Sequence, residues 1–286
     1  MPERPSIEAL LANCPSAEFK ARLRSEIERK VRMQTGAREG FTAVTPYLRA
    51  TDVEKIIAFA QRAFGAVETE RATGAAGGLH CEIRVGDSML MLGGGPMVTP
   101  AAATFMGMHY YVDDVDSVYR RAIEAGGKSL GEPADMPYGE RSGFVQDPGG
   151  NHWYIATRKG EDYMEGRRMV TPHIVAKRGS EYIEFLKAAL GASVEFRHDS
   201  PEGRVMHAVL RIQGGALEIG ESDPPAASAL YLYVPDADAL YRQAIGAGAK
   251  SLRAPADQPY GDRMGSVEDP WGNHWHIATH LARGKR

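Results

Sequence analysis

The stretch YRRAIEAGGKSLGEPADMPYGERSGFVQDPGGNHWYIAT at residues 119–157 returns as YRQAIGAGAKSLRAPADQPYGDRMGSVEDPWGNHWHIAT at residues 241–279, with 27 of 39 positions identical. The similarity extends toward the N-terminus, where VTPYLRA at 44–50 corresponds to VTPHIVA at 170–176. A period of about 120 residues is far longer than the repeat of a solenoid protein, so the chain contains a duplicated domain. Positions that agree between the copies are most simply explained by the fold, and positions that differ indicate where function has diverged.

Each copy is predicted to contain two successive βαβββ modules. Residues 44–50 form the first strand and residues 52–64 a helix, because apolar side chains recur at helical spacing and Gly65 ends the pattern. Three strands follow, and the same plan then repeats three more times. The result is an α+β fold of four modules in two domains. The predicted divisions are an N-terminal helical arm and linker at 1–40, a first domain at 44–157, a connector at 158–169 and a second domain at 170–279.

The N-terminal arm belongs to neither copy. Beyond Ser16, a suitable N-cap, apolar residues recur every four positions, at Phe19, Leu23, Ile27 and Val31. This spacing predicts an extra amphipathic helix, which we interpret as packing on its own protein or on the partner in a homodimer. Its basic character leaves an acidic partner or nucleic acid as an alternative. Residues 35–40 are predicted to be a linker.

Composition excludes several classes of protein. The 286 residues are 43% hydrophobic and carry a formal net charge of -3, which argues against a dedicated nucleic-acid binder because phosphate binding needs a concentrated basic surface. No stretch is long and apolar enough to span a membrane, and the start lacks the pattern of a secretory signal, so we expect a cytoplasmic protein. The two cysteines, Cys14 and Cys81, fit a reducing compartment and cannot form a disulfide framework.

Alternation along one strand of each copy divides its side chains between two faces. In LHCEIRV at residues 79–85, the apolar side chains suit the face under the helices, which leaves His80, Glu82 and Arg84 on the opposite face. The second copy keeps His207 and Arg211 at the corresponding positions, with Val209 in place of the carboxylate. A face that carries His and Arg without helices either is solvated or lines a pocket.

Taken together, the TP start of each first strand, the HxxLRxG-like strand, the PYG[ED]R loop and the closing DPxGNHW strand resemble the vicinal oxygen chelate superfamily of glyoxalase, bleomycin-resistance and extradiol dioxygenase proteins. Within it they look most like a tandem two-domain form of the PhnB-like branch. The resemblance covers residues 44–157 and 170–279. It implies paired βαβββ units that curve around a cavity, which in enzyme members holds a divalent metal ion.

The resemblance also implies four positions for metal ligands, one on each of four strands. In the first copy they are Tyr47, Met91, Gly107 and Tyr154, which are poor ligands for hard or borderline divalent ions. In the second copy they are His173, Glu218, Ala229 and His276. Two imidazoles and one carboxylate suit Zn²⁺, Ni²⁺, Mn²⁺ or Fe²⁺. We therefore interpret His173, Glu218 and His276 as the candidate metal site, and the first copy as metal-free.

Assembly decides whether these three residues meet. If each copy closes on itself, they share one cavity. If the modules are exchanged between copies, His173 and Glu218 face Gly107 and Tyr154, and His276 joins the other cavity. In that case His109, on the same strand face as Gly107, could supply a substitute ligand.

The remaining candidates are for ligand binding. In each PYG[ED]R loop an arginine follows an acid, and such a fork either binds a carboxylate or phosphate or closes the loop as a structural salt bridge. The candidate ligand-binding residues are His80, Glu82, Arg84, His207, Arg211, Tyr47, Tyr154, Arg141 and Arg263. They favour a protein that binds a small organic molecule without a metal in its first copy. The alternative is a metal-dependent lyase, isomerase or dioxygenase that uses the His/Glu/His set. No residue is marked as catalytic by the sequence.

Overall fold

A computed structural model describes residues 36–73, 77–95, 98–99, 103–158, 168–223 and 226–281. The predicted N-terminal helix and Cys14 lie outside these residues. The first sequence copy contains β1 (Val44–Ala50), α1 (Val53–Phe64), β2 (Val67–Thr73), β3 (Leu79–Val85), β4 (Ser88–Gly94), β5 (Gly107–Tyr111), α2 (Val115–Glu124), β6 (Lys128–Asp135), β7 (Glu140–Gln146) and β8 (His152–Arg158). The second copy contains β9 (Val170–Ala176), α3 (Gly179–Leu190), β10 (Ser193–Asp199), β11 (Val205–Ile212), β12 (Gly215–Glu221), β13 (Ala229–Tyr233), α4 (Ala237–Gly246), β14 (Lys250–Asp257), β15 (Asp262–Glu268) and β16 (His274–His280). The βαβββ plan and the α+β class are confirmed.

The modules are exchanged between the two copies. Sheet I has the strand order β14-β15-β16-β13-β1-β4-β3-β2, and sheet II has the order β10-β11-β12-β9-β5-β8-β7-β6. The junctions are antiparallel pairs, of β1 with β13 in sheet I and of β5 with β9 in sheet II. Sheet I therefore combines the first and fourth modules, and sheet II combines the second and third.

Local sequence signals explain why the helices begin and end where they do. Asp52 caps α1 by accepting a hydrogen bond from the backbone N–H of Lys55 at 3.3 Å, and Asp236 caps α4 in the same way through Ala239 at 2.9 Å. Gly65 ends α1 with φ of 67°, a left-handed conformation that glycine adopts without strain. Within the described residues, no helix is long and apolar enough to cross a membrane.

A buried aspartate anchors the last strand of each copy. Asp147 accepts hydrogen bonds from the backbone of Gly149 at 2.8 Å and from the indole of Trp153 at 3.2 Å. Asp269 holds the indole of Trp275 in the same way, at 3.0 Å. Both tryptophans are fully buried, so the DPxGNHW motif ties a tight turn to the hydrophobic core.

Candidate functional site

Each sheet packs one face against helices, and no described helix covers the other face, which we call inner face I in sheet I and inner face II in sheet II. On inner face II the register places Glu218 of β12, His173 of β9 and Gly107 of β5 side by side. Tyr154 of β8 pairs with His109 of β5. Three of the four positions expected to surround a metal ion therefore lie in one row, and Tyr154 lies on the next strand, two residues beyond His152, which pairs with Gly107.

His109 lies at the centre of inner face II, between two buried carboxylates. Its Nδ1 is 2.9 Å from Oε2 of Glu218, and its Nε2 is 3.5 Å from Oε2 of Glu140. The hydroxyl of Tyr111 donates to Oε1 of Glu140 at 3.3 Å, and Arg158 donates to the same oxygen at 3.4 Å. Glu218 and Glu140 lie on strands β12 and β7, each two strands away from β5 and on opposite sides of it. The two carboxylates therefore flank the imidazole of His109.

The two carboxylates fix the charge of His109. Burial alone would lower the pKa of His109, but the charges of Glu218 and Glu140 and their hydrogen bonds outweigh burial and raise it to about 9. Burial likewise opposes ionisation of Glu218, yet the neighbouring His109 lowers the pKa of Glu218 to about 2. The pKa of Glu140 is lowered by the same neighbour against the effect of its burial. At neutral pH the site therefore holds an imidazolium between two carboxylates.

His173 is a neutral imidazole beside this cluster. Burial lowers its pKa to about 4, and its Nδ1 lies 3.9 Å from Oε2 of Glu218. Its buried Nε2 has no hydrogen-bond partner among the described residues. This nitrogen lies beside Gly220, where an added Cβ would approach it to 2.8 Å, so the small residue makes room for the ring.

Aromatic rings border the cluster. The ring of Tyr154 lies 5.1 Å from that of His173 and 5.8 Å from that of Phe144. The ring centre of His207 lies 6.1 Å from that of His173 and 6.0 Å from that of Phe196. Phe196 is 51% exposed. Inner face II therefore combines a charged centre with apolar walls that reach the surface.

Inner face I carries His276, the third predicted metal ligand. Its Nδ1 bonds to Oγ of Ser266 at 2.8 Å, its Nε2 has no partner among the described residues, and burial lowers its pKa to about 3. The ring of Tyr47 lies 5.0 Å away. The structure thus brings His173 and Glu218 together and places His276 on the other sheet.

Asp262 on inner face I corresponds to Glu140 on inner face II. It accepts hydrogen bonds from the hydroxyls of Tyr231 at 2.8 Å and Tyr233 at 3.1 Å, and its other oxygen lies 2.7 Å from Nδ1 of His280. Tyr231 stands at the position of His109. The corresponding carboxylates are therefore kept in both sheets, but their partners differ.

The two loop arginines are bound to helices. Arg141 donates twice to Asp116 of α2, at 2.7 and 2.8 Å, and Arg263 binds Asp238 of α4 in the same bidentate manner. The acid that holds Arg141 is therefore Asp116 and not the adjacent Glu140. Successive side chains of a strand point to opposite faces, which sends Arg141 toward the helices and Glu140 to the inner face. This alternation was the signal in the sequence that could have identified Glu140.

The remaining candidates occupy the strand next to each outer edge. His80 lies 3.3 Å from Oε1 of Glu82, which is buried. Arg84 is exposed and donates to the carbonyl of Gly86 at 3.1 Å, and Arg211 pairs with Glu195. The two arginines therefore have partners within the protein.

The residues of inner face II do not fit a divalent metal ion. In the part of the chain that the structure describes, no group of three or more His, Cys, Asp or Glu side chains is arranged to hold one. Oε2 of Glu218 is hydrogen-bonded to the protonated His109, so a metal would have to displace a proton that two carboxylates retain. Burial raises the pKa of Tyr154, which keeps its phenol protonated. The unpartnered nitrogen of His173 lies beside Gly220 and cannot complete a set with His276 on the other sheet.

Comparison with known proteins agrees with this architecture. A family model described as Glyoxalase/Bleomycin resistance protein/Dioxygenase superfamily matches residues 41–155 and 169–277. An uncharacterized protein of Mycobacterium bovis, Mb0911c, is 32% identical over 122 residues, which are 38% of this chain and 80% of that protein. Glyoxalase I from Zea mays superposes with a TM-score of 0.65 at 18% identity, over 82% of this chain and 92% of that one, and shows a common fold.

Proposed function

The chain belongs to the Glyoxalase/Bleomycin resistance protein/Dioxygenase superfamily, and from that premise we propose that it binds a small organic molecule over inner face II without a metal ion. The observation that supports this most directly is the position of His109, whose imidazolium bonds to Glu218 where a metal ion would need that carboxylate. A metal-dependent lyase, isomerase or dioxygenase would need a third ligand beside His173 and Glu218. His276 lies on the other sheet, and His109, the substitute ligand, is held as an imidazolium by Glu218 and Glu140.

The charge states favour binding over proton transfer. A general acid or base works best when its pKa is near the working pH. In this site the pKa of His109 is raised to about 9, that of Glu218 is lowered to about 2 and that of His173 is lowered to about 4. All three pKa values lie well away from neutral pH, so these side chains keep one protonation state and act as fixed hydrogen-bonding groups.

The unused atoms indicate the chemistry of the ligand. Nε2 of His173 is buried without a hydrogen-bond partner among the described residues, and Oε2 of Glu140 has only its 3.5 Å contact with Nε2 of His109. A ligand hydroxyl or amino group that donates to them would remove the cost of leaving buried polar atoms unpaired. The rings of Tyr154 and Phe144 suit a flat, apolar ligand body. Because the charges of His109 and Arg158 balance those of the two carboxylates, we propose a neutral aromatic compound with hydroxyl or amino donors.

Two finer assignments are also part of the proposal. The ordered TP start, PYG[ED]R loop and DPxGNHW strand, present twice, support placement in the PhnB-like branch. The two-cysteine composition supports a cytoplasmic location.

Titration calorimetry with catechol, phenol and aniline derivatives tests the proposal. Tyr154→Ala and Glu140→Gln should each weaken binding by about tenfold, which corresponds to about 1.4 kcal/mol. His276→Ala alters the equivalent position on the other sheet and serves as the matched control, with unchanged affinity expected. The proposal would be contradicted by binding that requires added metal or by an equal loss of binding in His276→Ala. It would also be contradicted if no neutral aromatic compound bound.

A further inference from the structure

Residues 36–40, which fall within the linker predicted at 35–40, and the following Phe41 lie against inner face I. The backbone N–H of His280 donates to the carbonyl of Gly36 at 2.9 Å, which joins this segment to the end of β16. Ala37 and Phe41 are buried, and the ring of Phe41 meets that of Tyr233 edge-on at 5.9 Å. They pack in an apolar cluster with Met91, Tyr231, Tyr233, Met264 and Ala278.

The same segment carries Arg38, whose positive charge lies against the buried carboxylate of Glu82. The guanidinium of Arg38 pairs with Glu82 and lies 3.4 Å from Oε2 of Glu70. It also lies over the ring of Phe41, 4.3 Å from the ring centre. Glu82 is only 3% exposed, so it depends on this cation and on His80 for its partners.

The duplicated copy shows that the fold does not need this carboxylate. Val209 stands at the position of Glu82 in sheet II, and it is buried without a charge. A buried ion pair is often no more stabilising than well-packed apolar residues, so packing alone does not account for Glu82. A second polar group on inner face I is also unused, since Nε2 of His276 is buried and unpartnered among the described residues.

We propose that inner face I is a second binding site, for an organic cation that carries a guanidinium or amidinium group on an aromatic body, and that residues 36–41 are an internal occupant which such a ligand displaces. Arg38 occupies the position beside Glu82 that the ligand's cation would take, and Phe41 occupies the position beside Tyr233 that the ligand's aromatic ring would take. The proposal is independent of the neutral-ligand site on inner face II.

Phenethylguanidine is a suitable probe, and phenethylurea is its neutral counterpart. Arg38→Ala should bind phenethylguanidine at least about tenfold more tightly than the unmodified protein, because the internal cation no longer competes. Arg38→Ala/Glu82→Gln should lose this binding. Arg141→Ala removes an arginine that is bound to a helix and should behave like the unmodified protein. Tyr154→Ala, which tests inner face II, should also leave the affinity for this probe unchanged.

Hydrogen exchange of the unmodified protein gives a second readout that needs no variant to fold. Saturating phenethylguanidine should speed exchange at the amides of His280 and Phe41, which bond to Gly36 and Arg38 when the segment is in place. The proposal is overturned if these amides stay equally protected, if phenethylurea binds as tightly as phenethylguanidine, or if a folded Arg38→Ala binds the probe no better than the unmodified protein.

Discussion

Raising the pH from 6.5 to about 9 should cost the folded protein about 3 kcal/mol of stability through the His109 site. The imidazole titrates near 6.5 when unperturbed, whereas Glu218 and Glu140 raise its pKa to about 9 in the fold. The folded state therefore keeps its proton over a range in which the unfolded chain releases it. This contribution is fully present below pH 6.5 and is lost as the pH rises through 9.

The magnitude follows from the width of that window. Each pH unit between the two pKa values costs about 1.4 kcal/mol, and the window spans about 2.5 units. The lowered pKa of Glu218, about 2, gives a matching loss on the acid side, from pH 4.5 downward. Both shifts describe largely the same ion pair, so the two energies are not added.

Urea unfolding at several pH values between 6.5 and 9 measures the effect directly. Glu218→Gln is the matched variant, because it leaves His109 with the more distant Glu140 and should flatten the pH dependence by about half. Groups far from Glu218 titrate equally in both proteins, so the difference reports on the cluster of groups around Glu218. An unfolding free energy that does not change with pH in the unmodified protein, or an equal slope in Glu218→Gln, would refute the charge assignment.

Three further outcomes are expected. Protein purified without chelator or affinity tag should contain well below one equivalent of Zn, Ni, Mn or Fe by elemental analysis. A full equivalent that disappears in His173→Ala would contradict the conclusion that the residues of inner face II do not fit a metal ion. Gly220→Ala should weaken ligand binding on inner face II, because the added Cβ would come to 2.8 Å from Nε2 of His173 and displace the ring. Overpacking of this kind costs about 1–3 kcal/mol. An unchanged affinity by calorimetry would contradict this prediction. Asp269→Asn should lower the unfolding free energy by about 1–3 kcal/mol, because both carboxylate oxygens accept hydrogen bonds and the amide replaces one of them by an NH₂ group that can only donate; equal urea midpoints would exclude this role.

The local structure could be predicted from the sequence because its causes are local. The cap at Asp52, the terminating Gly65 and the alternation through 79–85 fix one helix and one strand within a dozen residues. Glu140 was overlooked because its neighbour Arg141 offered an obvious partner, and only the alternation of the strand separates the two. The sequence predicts only a linker around Arg38, because nothing near this residue reveals Glu82, its partner on inner face I.

The pairing of the modules is a long-range property, yet the buried charges on inner face II favour only one arrangement. Glu218 is fully buried in the second copy, and its cationic partner His109 belongs to the first. If each copy closed on itself, Glu218 would instead meet the module that carries Tyr231 and His276, and its carboxylate would have no cation comparable to His109. An unpaired buried carboxylate costs several kcal/mol, which is a large part of the stability of a typical domain. Exchange of modules brings the cation of one copy to the carboxylate of the other, so the divergence of the copies at these two positions itself stabilises the exchanged fold.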